Sequence, residues 1–189
     1  MNYLWDNLFR KSKKDEEVRS RLASNILFKD LTSKELRFVE QIVHVRSYHA
    51  GEHVFRQGEV GVGMYMIMSG RVEIFIDDAD PVKETSAEIF ITQLLANDFF
   101  GELSLVEENG RRTASAICRD ETVLIGFFKP DLMEIVKRSP IVGIKILFRL
   151  AEVLGRRLKE TTEKVSDLRG SIRELRTPPP TTSVDEGRP

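Results

Sequence analysis

The hydrophobic period of this chain changes along its length, and that change limits the fold more than any other feature. From Val43 to Phe128, apolar residues come in short runs rich in β-branched and aromatic side chains. The runs are separated at Gly51, Gly58, Gly61, Gly63, Gly70, Asp77 to Pro81 and Asn97-Asp98. Short strands at this spacing predict a closed antiparallel roll or barrel. Tyr65, Ile67, Val72, Ile74 and Ile76 alternate with other residues, as do Ile89 and Ile91. One face of each strand is therefore expected to close a core. Asp77 to Ala87 is polar and contains Pro81, which reads as an exposed hairpin tip whose acidic residues are solvated rather than metal-bound.

Helical periods flank this region. Thr32-Ser33-Lys34-Glu35 carries an N-cap with an acidic residue three positions on, and residues 18–25 read as an earlier helix. Tyr3, Leu4, Trp5, Leu8 and Phe9 sit at helical spacing before a basic collar, Arg10 to Lys14. This amphipathic segment suits packing on the chain's own roll or on a dimer mate, with a partner protein or an anionic membrane surface as the alternative. Past Pro140, the positions Leu147, Ala151, Leu154, Leu158, Thr161, Val165, Leu168, Ile172 and Leu175 follow at three- and four-residue steps. Such a heptad seam would leave an apolar stripe on a lone helix, so a parallel two-stranded coiled coil between protomers is expected. Lys164 would face Arg169 of the mate, which weakens the coil toward its end. Residues 177–189, with four prolines, read as a disordered tail.

The chemistry concentrates in Phe100-Gly101-Glu102-Leu103-Ser104-Leu105 and in Arg111-Arg112-Thr113-Ala114. Glycine lets the backbone approach a ligand, and a short helix opening at Glu102 would aim main-chain N–H groups at an anion. Arg112 offers a planar charged fork for a phosphate, and Thr113 a hydroxyl donor. Glu102 repels a phosphate, so its natural partner is a neutral hydroxyl such as that of a ribose. Together these parts suit a nucleotide monophosphate.

This stretch, with its ten-residue step from Glu102 to Arg112, resembles the phosphate-binding cassette of the cyclic nucleotide-binding domain family. Ala50 to Glu59 and Met64 to Ile74 resemble that family's glycine-punctuated hairpins, and the likeness runs from Leu27 to Leu168. Within the family the chain is similar to the bacterial catabolite activator proteins, although nothing at its C-terminus resembles their DNA-reading domain. The resemblance implies Ile74, Ile91, Thr92 and Leu94 around base and sugar, and Glu102 on the ribose hydroxyl. It implies Phe100, Gly101, Leu103, Ser104 and Ala114 at or beside the phosphate. Arg112 is the implied phosphate ligand, and Arg111 is its competitor because some branches use a step of nine. Leu158 with Thr161 and Thr162 resembles the segment in which two hydroxyl residues, one from each protomer, meet the adenine. About four extra residues precede that point, close to one helical turn, so the facing is kept.

Composition narrows the rest. A formal net charge of -1 supplies no global pull toward nucleic acid, and the single cysteine, Cys118, excludes an internal disulfide and reads as a packed thiol. No apolar run is long enough to span a bilayer, so the cytoplasm is the expected address. His44, His49 and His53 lack metal-ligand spacing, and no catalytic partner accompanies the cassette.

The expected architecture is α+β: a jelly-roll-like antiparallel β-roll flanked by N-terminal helices and a long C-terminal helix forming a dimeric coiled coil. The expected division is 1–25 amphipathic segment, 26–138 nucleotide-binding roll, 139–176 dimerisation helix and 177–189 tail. The expected function is that of a non-enzymatic cAMP sensor, homodimeric, signalling to a downstream protein. The alternatives are cGMP or another cyclic nucleotide as ligand, a ligand-free dimeric scaffold, and, last, a DNA-binding regulator.

Overall fold

The computed structural model describes residues 15–79 and 86–176. The N-terminal aromatic segment with its basic collar, the hairpin tip around Pro81 and the proline-rich tail lie outside the described residues. The chain divides into two compact units between Leu150 and Ala151.

In the first unit a helix over residues 15–24 (α1) leads through turns to α2, Ser33–Glu40. The start of α2 is set locally. The Thr32 hydroxyl accepts from the Glu35 N–H at 3.3 Å, and the Glu35 carboxylate accepts from the Thr32 N–H at 2.7 Å. That reciprocal box satisfies two of the donors a helix start leaves orphaned.

Eight strands then form two four-stranded antiparallel sheets. One runs in the order β1 (His44–Tyr48), β8 (Thr122–Phe128), β3 (Gly63–Ser69), β6 (Phe99–Phe100). The other runs β2 (His53–Phe55), β7 (Ser115–Cys118), β4 (Val72–Ala79), β5 (Ser86–Leu94). Chain-adjacent strands repeatedly change sheet, which gives the expected jelly-roll-like β core.

Tyr48, Ile67, Val72, Phe100, Ala116, Cys118 and Leu124 fill the core of the roll. Cys118 is fully buried there, and burial pushes its thiol pKa up, as suits a packing residue. The central strands of the first sheet are buried on both faces: Leu124 packs in the core of the roll, while the Phe127 ring meets Phe28 from the N-terminal helical layer edge-on at 5.7 Å. β3 accordingly buries Met64, Met66, Ile67 and Met68 in near succession, as strands covered on both sides do.

Two expectations about β4 and β5 fail. The pairing register shifts between Ile74 and Phe75. An irregularity of this kind exchanges the faces of a strand: Phe75 goes inside, and Ile76 is exposed. Ile89 and Ile91 are exposed too, because β5 is the edge of its sheet. The hairpin tip is also shorter than Asp77 to Ala87, since Asp77, Asp78 and Ala79 pair with Glu88, Ala87 and Ser86. Strand pairing satisfies those backbone groups whatever the polarity of the side chains.

After β8, α3 (Lys129–Arg138) starts with Pro130 in its first turn and with the Phe128 N–H donating to the Asp131 carboxylate at 2.8 Å. α4 (Pro140–Arg176) follows. Its first three turns are tied to the N-terminal layer by Lys145 to Glu35 at 2.8 Å and by Arg149 to Asp30 at 2.5 Å. No helix among the described residues is long and apolar enough to cross a membrane.

In the second unit, the seam residues Leu158, Val165, Leu168, Ile172 and Leu175 are all exposed.

Candidate functional site: the cassette around Arg112

β6 is followed by Gly101, whose φ of +77° is the left-handed conformation that favours glycine. Glu102–Leu105 then forms a single 3₁₀ turn, with the Ser104 N–H donating to the Gly101 carbonyl at 3.2 Å. The helix expected at Glu102 is thus this one tight turn. Glu102, Ser104 and Leu105 are buried, and Leu103 is open.

Arg112 lies on a strap pinned by backbone bonds to residues 58–61. The Gly61 N–H donates to the Gly110 carbonyl, the Arg112 N–H to the Glu59 carbonyl, and the Gly58 N–H to the Arg112 carbonyl. Arg112 is only 7% exposed. Nη1 donates to the Ser104 hydroxyl at 2.9 Å and to the Gly101 carbonyl at 3.2 Å, and Nη2 donates to the Gly63 carbonyl at 2.8 Å. Burial lowers the Arg112 pKa, while Tyr65, Glu59 and Glu102 act against that shift. A guanidinium stays charged through such a shift.

Nε of Arg112 is buried and has no hydrogen-bond partner among the described residues. Buried donors rarely go unpaired, because the missing bond costs about 1–3 kcal/mol. The cassette therefore holds a permanent cation with an unspent N–H.

Aromatic rings support it. The guanidinium carbon lies 3.9 Å from the centre of the Phe55 ring and 5.9 Å from that of Tyr65. Phe55 and Tyr65 both pack against Phe100, at 5.7 and 5.6 Å. Cation–π contact of this kind favours the charged form and fixes the plane of the fork.

Sequence reasoning missed four of these contributors. Phe55 is the shelf beneath the cation, and Tyr65 is its neighbour. Gly63 supplies the carbonyl. Gly61 leaves room for Ser104, whose hydroxyl would stand 2.0 Å from a Cβ at that position. The spacing Gly61-Val62-Gly63 was the available signal, read only as turn punctuation.

The two candidate arginines have different surroundings. Arg112 enters the cassette, whereas Arg111 is exposed and donates to the Gly58 carbonyl at 2.7 Å. Thr113 is exposed and Ala114 half-buried next to them. Ile74 faces Thr92 across the β4–β5 ladder, and Ile74 and Leu94 pack on the same core as Phe55 and Phe100. Ile91 and Thr92 are exposed. Thr161 and Thr162 belong to the second unit, where each hydroxyl donates at 2.8 Å to the carbonyl four residues earlier, Arg157 and Leu158.

Residues 45–139 match the model of the cyclic nucleotide-binding domain. The chain is 33% identical over 134 residues to a cyclic AMP receptor protein of Thermus thermophilus, covering 71% of this chain and 57% of that one. It is 34% identical over 131 residues to the cAMP-dependent protein kinase type II regulatory subunit of Drosophila melanogaster, covering 69% and 32%. The crystal structure of the Thermus thermophilus catabolite activator protein superposes with a TM-score of 0.66 at 29% identity, over 76% of this chain and 63% of that one. The chain spans less than two thirds of the length of these relatives. With its two antiparallel sheets, its cassette turn and a family match over half its length, the chain belongs to the cyclic nucleotide-binding domain family.

Proposed function

We propose that this chain is a cAMP sensor that works as a homodimer through α4 and passes ligand occupancy to a partner protein. The observation that carries this reading is the buried Arg112 fork with its unpartnered Nε. An anionic oxygen supplies the acceptor that the fork lacks, and a planar guanidinium can engage two such oxygens at once. The residues present fit a cyclic phosphate: Gly101 and Ser104 form a close-approach turn beside the cation. Glu102 takes the ribose hydroxyl, and Ile74 and Leu94 give the base an apolar wall. The names of the bacterial and kinase relatives support cAMP over cGMP.

The exposed seam from Leu158 to Leu175 supports dimerisation, because a stripe of that length on one helix is costly in water. Thr161 and Thr162 then meet adenine from the two protomers. In this division the roll is the sensor and residues 139–176 are the output helix. Ligand shifts that helix only by as much as it prefers one arrangement over the other.

Calorimetric titration with cAMP and with cGMP tests the proposal. Saturable cAMP binding that weakens about a hundredfold in Arg112→Leu is expected, in line with loss of a charged bidentate contact. No binding of either nucleotide would reduce the chain to a scaffold, and tighter cGMP binding would move the base assignment to Thr113.

A further inference from the structure

The first sheet contains a gap in its inner face. Gly126 on β8 pairs with His44 on β1 and with Tyr65 on β3, so the centre of that three-residue row has no side chain. The next row on the same face carries Arg46 and Leu124, and Tyr48 follows along β1. The result is a cavity of about 260 Å³, somewhat below the range of sites for drug-sized ligands.

Its walls are rings. Phe128 stands 5.3 Å from His44 and 5.9 Å from Tyr65, centre to centre, and the Arg46 guanidinium lies over Tyr48 at 4.5 Å. The polar groups at its edge already have partners: Arg46 pairs with Glu52 at 2.9 Å, and the His44 ring nitrogen lies 3.3 Å from the Asp131 carboxylate. Tyr48, a buried residue, also lines the cavity, and its phenol carries a hydroxyl able to donate to an occupant.

We infer that this cavity is a second ligand site, separate from the cassette, which takes an uncharged single-ring aromatic molecule bearing a hydrogen-bond acceptor. The rings select a flat apolar body by offset or edge-to-face contact. The Tyr48 hydroxyl selects the acceptor, because filling the cavity without one would leave that donor dry. With Arg46 already paired to Glu52, the cavity gives an anion no unmatched cation. Tyr65 belongs to this cavity and also stacks on Phe100, directly before Gly101, so an occupant would touch the ring layer on which the cassette rests.

Benzamide is the probe: neutral, one ring, one carbonyl acceptor. Saturation-transfer NMR on the full chain should show transfer to its ring protons at millimolar concentration. Tyr48→Phe should weaken binding about tenfold, the loss of one net hydrogen bond. Gly126→Ala should abolish it, because the added Cβ would stand 2.8 Å from the Phe128 ring and drive it into the gap. A thermal melt checks that Gly126→Ala still folds; if it does not, Tyr48→Phe carries the test alone. No transfer to benzamide, unchanged affinity in Tyr48→Phe, or tighter binding of benzoate than of benzamide would each overturn the inference.

Discussion

Replacing Gly101 by alanine probes the cassette at its tightest point. The residue holds a φ of +77°, where a side chain costs about 1–2 kcal/mol. The added Cβ would also stand 2.4 Å from Nη1 of Arg112 and 3.2 Å from the Gly63 carbonyl oxygen. The guanidinium has to withdraw, and Nη1 is the atom that serves both the Gly101 carbonyl and the Ser104 hydroxyl. Weakening two bonds from a charged donor, partly offset by recoil of a flexible side chain, brings the total to about 2–4 kcal/mol.

Gly51→Ala is the control. Its φ is +83° but open space surrounds it, so it incurs only the backbone cost, about 1–2 kcal/mol. Urea unfolding of both variants, read as a shift in midpoint at constant slope, measures the difference. Calorimetry adds a second reading: cAMP affinity should fall at least tenfold in Gly101→Ala and stay unchanged in Gly51→Ala. If the two alanines cost the same within about 0.5 kcal/mol, the guanidinium does not rest against Gly101 and this account of the cassette is wrong.

Three further outcomes follow from the packing. The Lys145 ammonium, helped by the Thr32 N–H, holds the Glu35 carboxyl below its ordinary value of 4.5. A depressed folded-state pKa gives stability that is present above the unfolded value and lost as pH falls through the folded one. Glu35→Gln should therefore flatten the acid limb of the stability profile below about pH 4.5, and an unchanged acid limb would remove the Glu35–Lys145 contact from the account. Burial pushes the Tyr48 phenol up to about 12, so its contribution is whole below pH 10 and disappears as pH rises through 12. Phenolate absorbance should then show one late-ionising tyrosine in the folded chain that titrates near pH 10 in urea, and a single shared transition near 10 would contradict the burial of Tyr48. Introducing glutamates at Leu158 and Leu168 should convert a dimer to a monomer in sedimentation equilibrium, since both positions lie on the exposed seam; a dimer that persists would locate the interface elsewhere.

Local chemistry is what the sequence made legible. The Thr32–Glu35 box starts α2 because both partners lie within one turn, and the glycine turns between the strand runs depend on single residues. Cys118 fell in an apolar run and is core. The cassette stretch, Phe100 to Ala114, was visible because a glycine, a carboxylate and an arginine keep a fixed spacing there. The same reading failed on Ile76, Ile89 and Ile91. Alternation marks a face but cannot reveal the shift at Ile74–Phe75 that exchanges faces, nor that β5 is an edge.

Tertiary structure alone decided the rest. Arg111 and Arg112 are neighbours with the same side chain. Three carbonyl or hydroxyl acceptors and the Phe55 ring, brought from distant strands, bury one of them, while the other stays on the surface. Gly126 looks like any strand glycine until His44 and Tyr65 flank it on both sides and leave a gap. Sequence determines what one residue or one turn can do, because caps, glycine conformations and periodicity act over a few positions. Burial, pairing and the unspent donor on Arg112 depend on which strands meet, and only the folded chain fixes that.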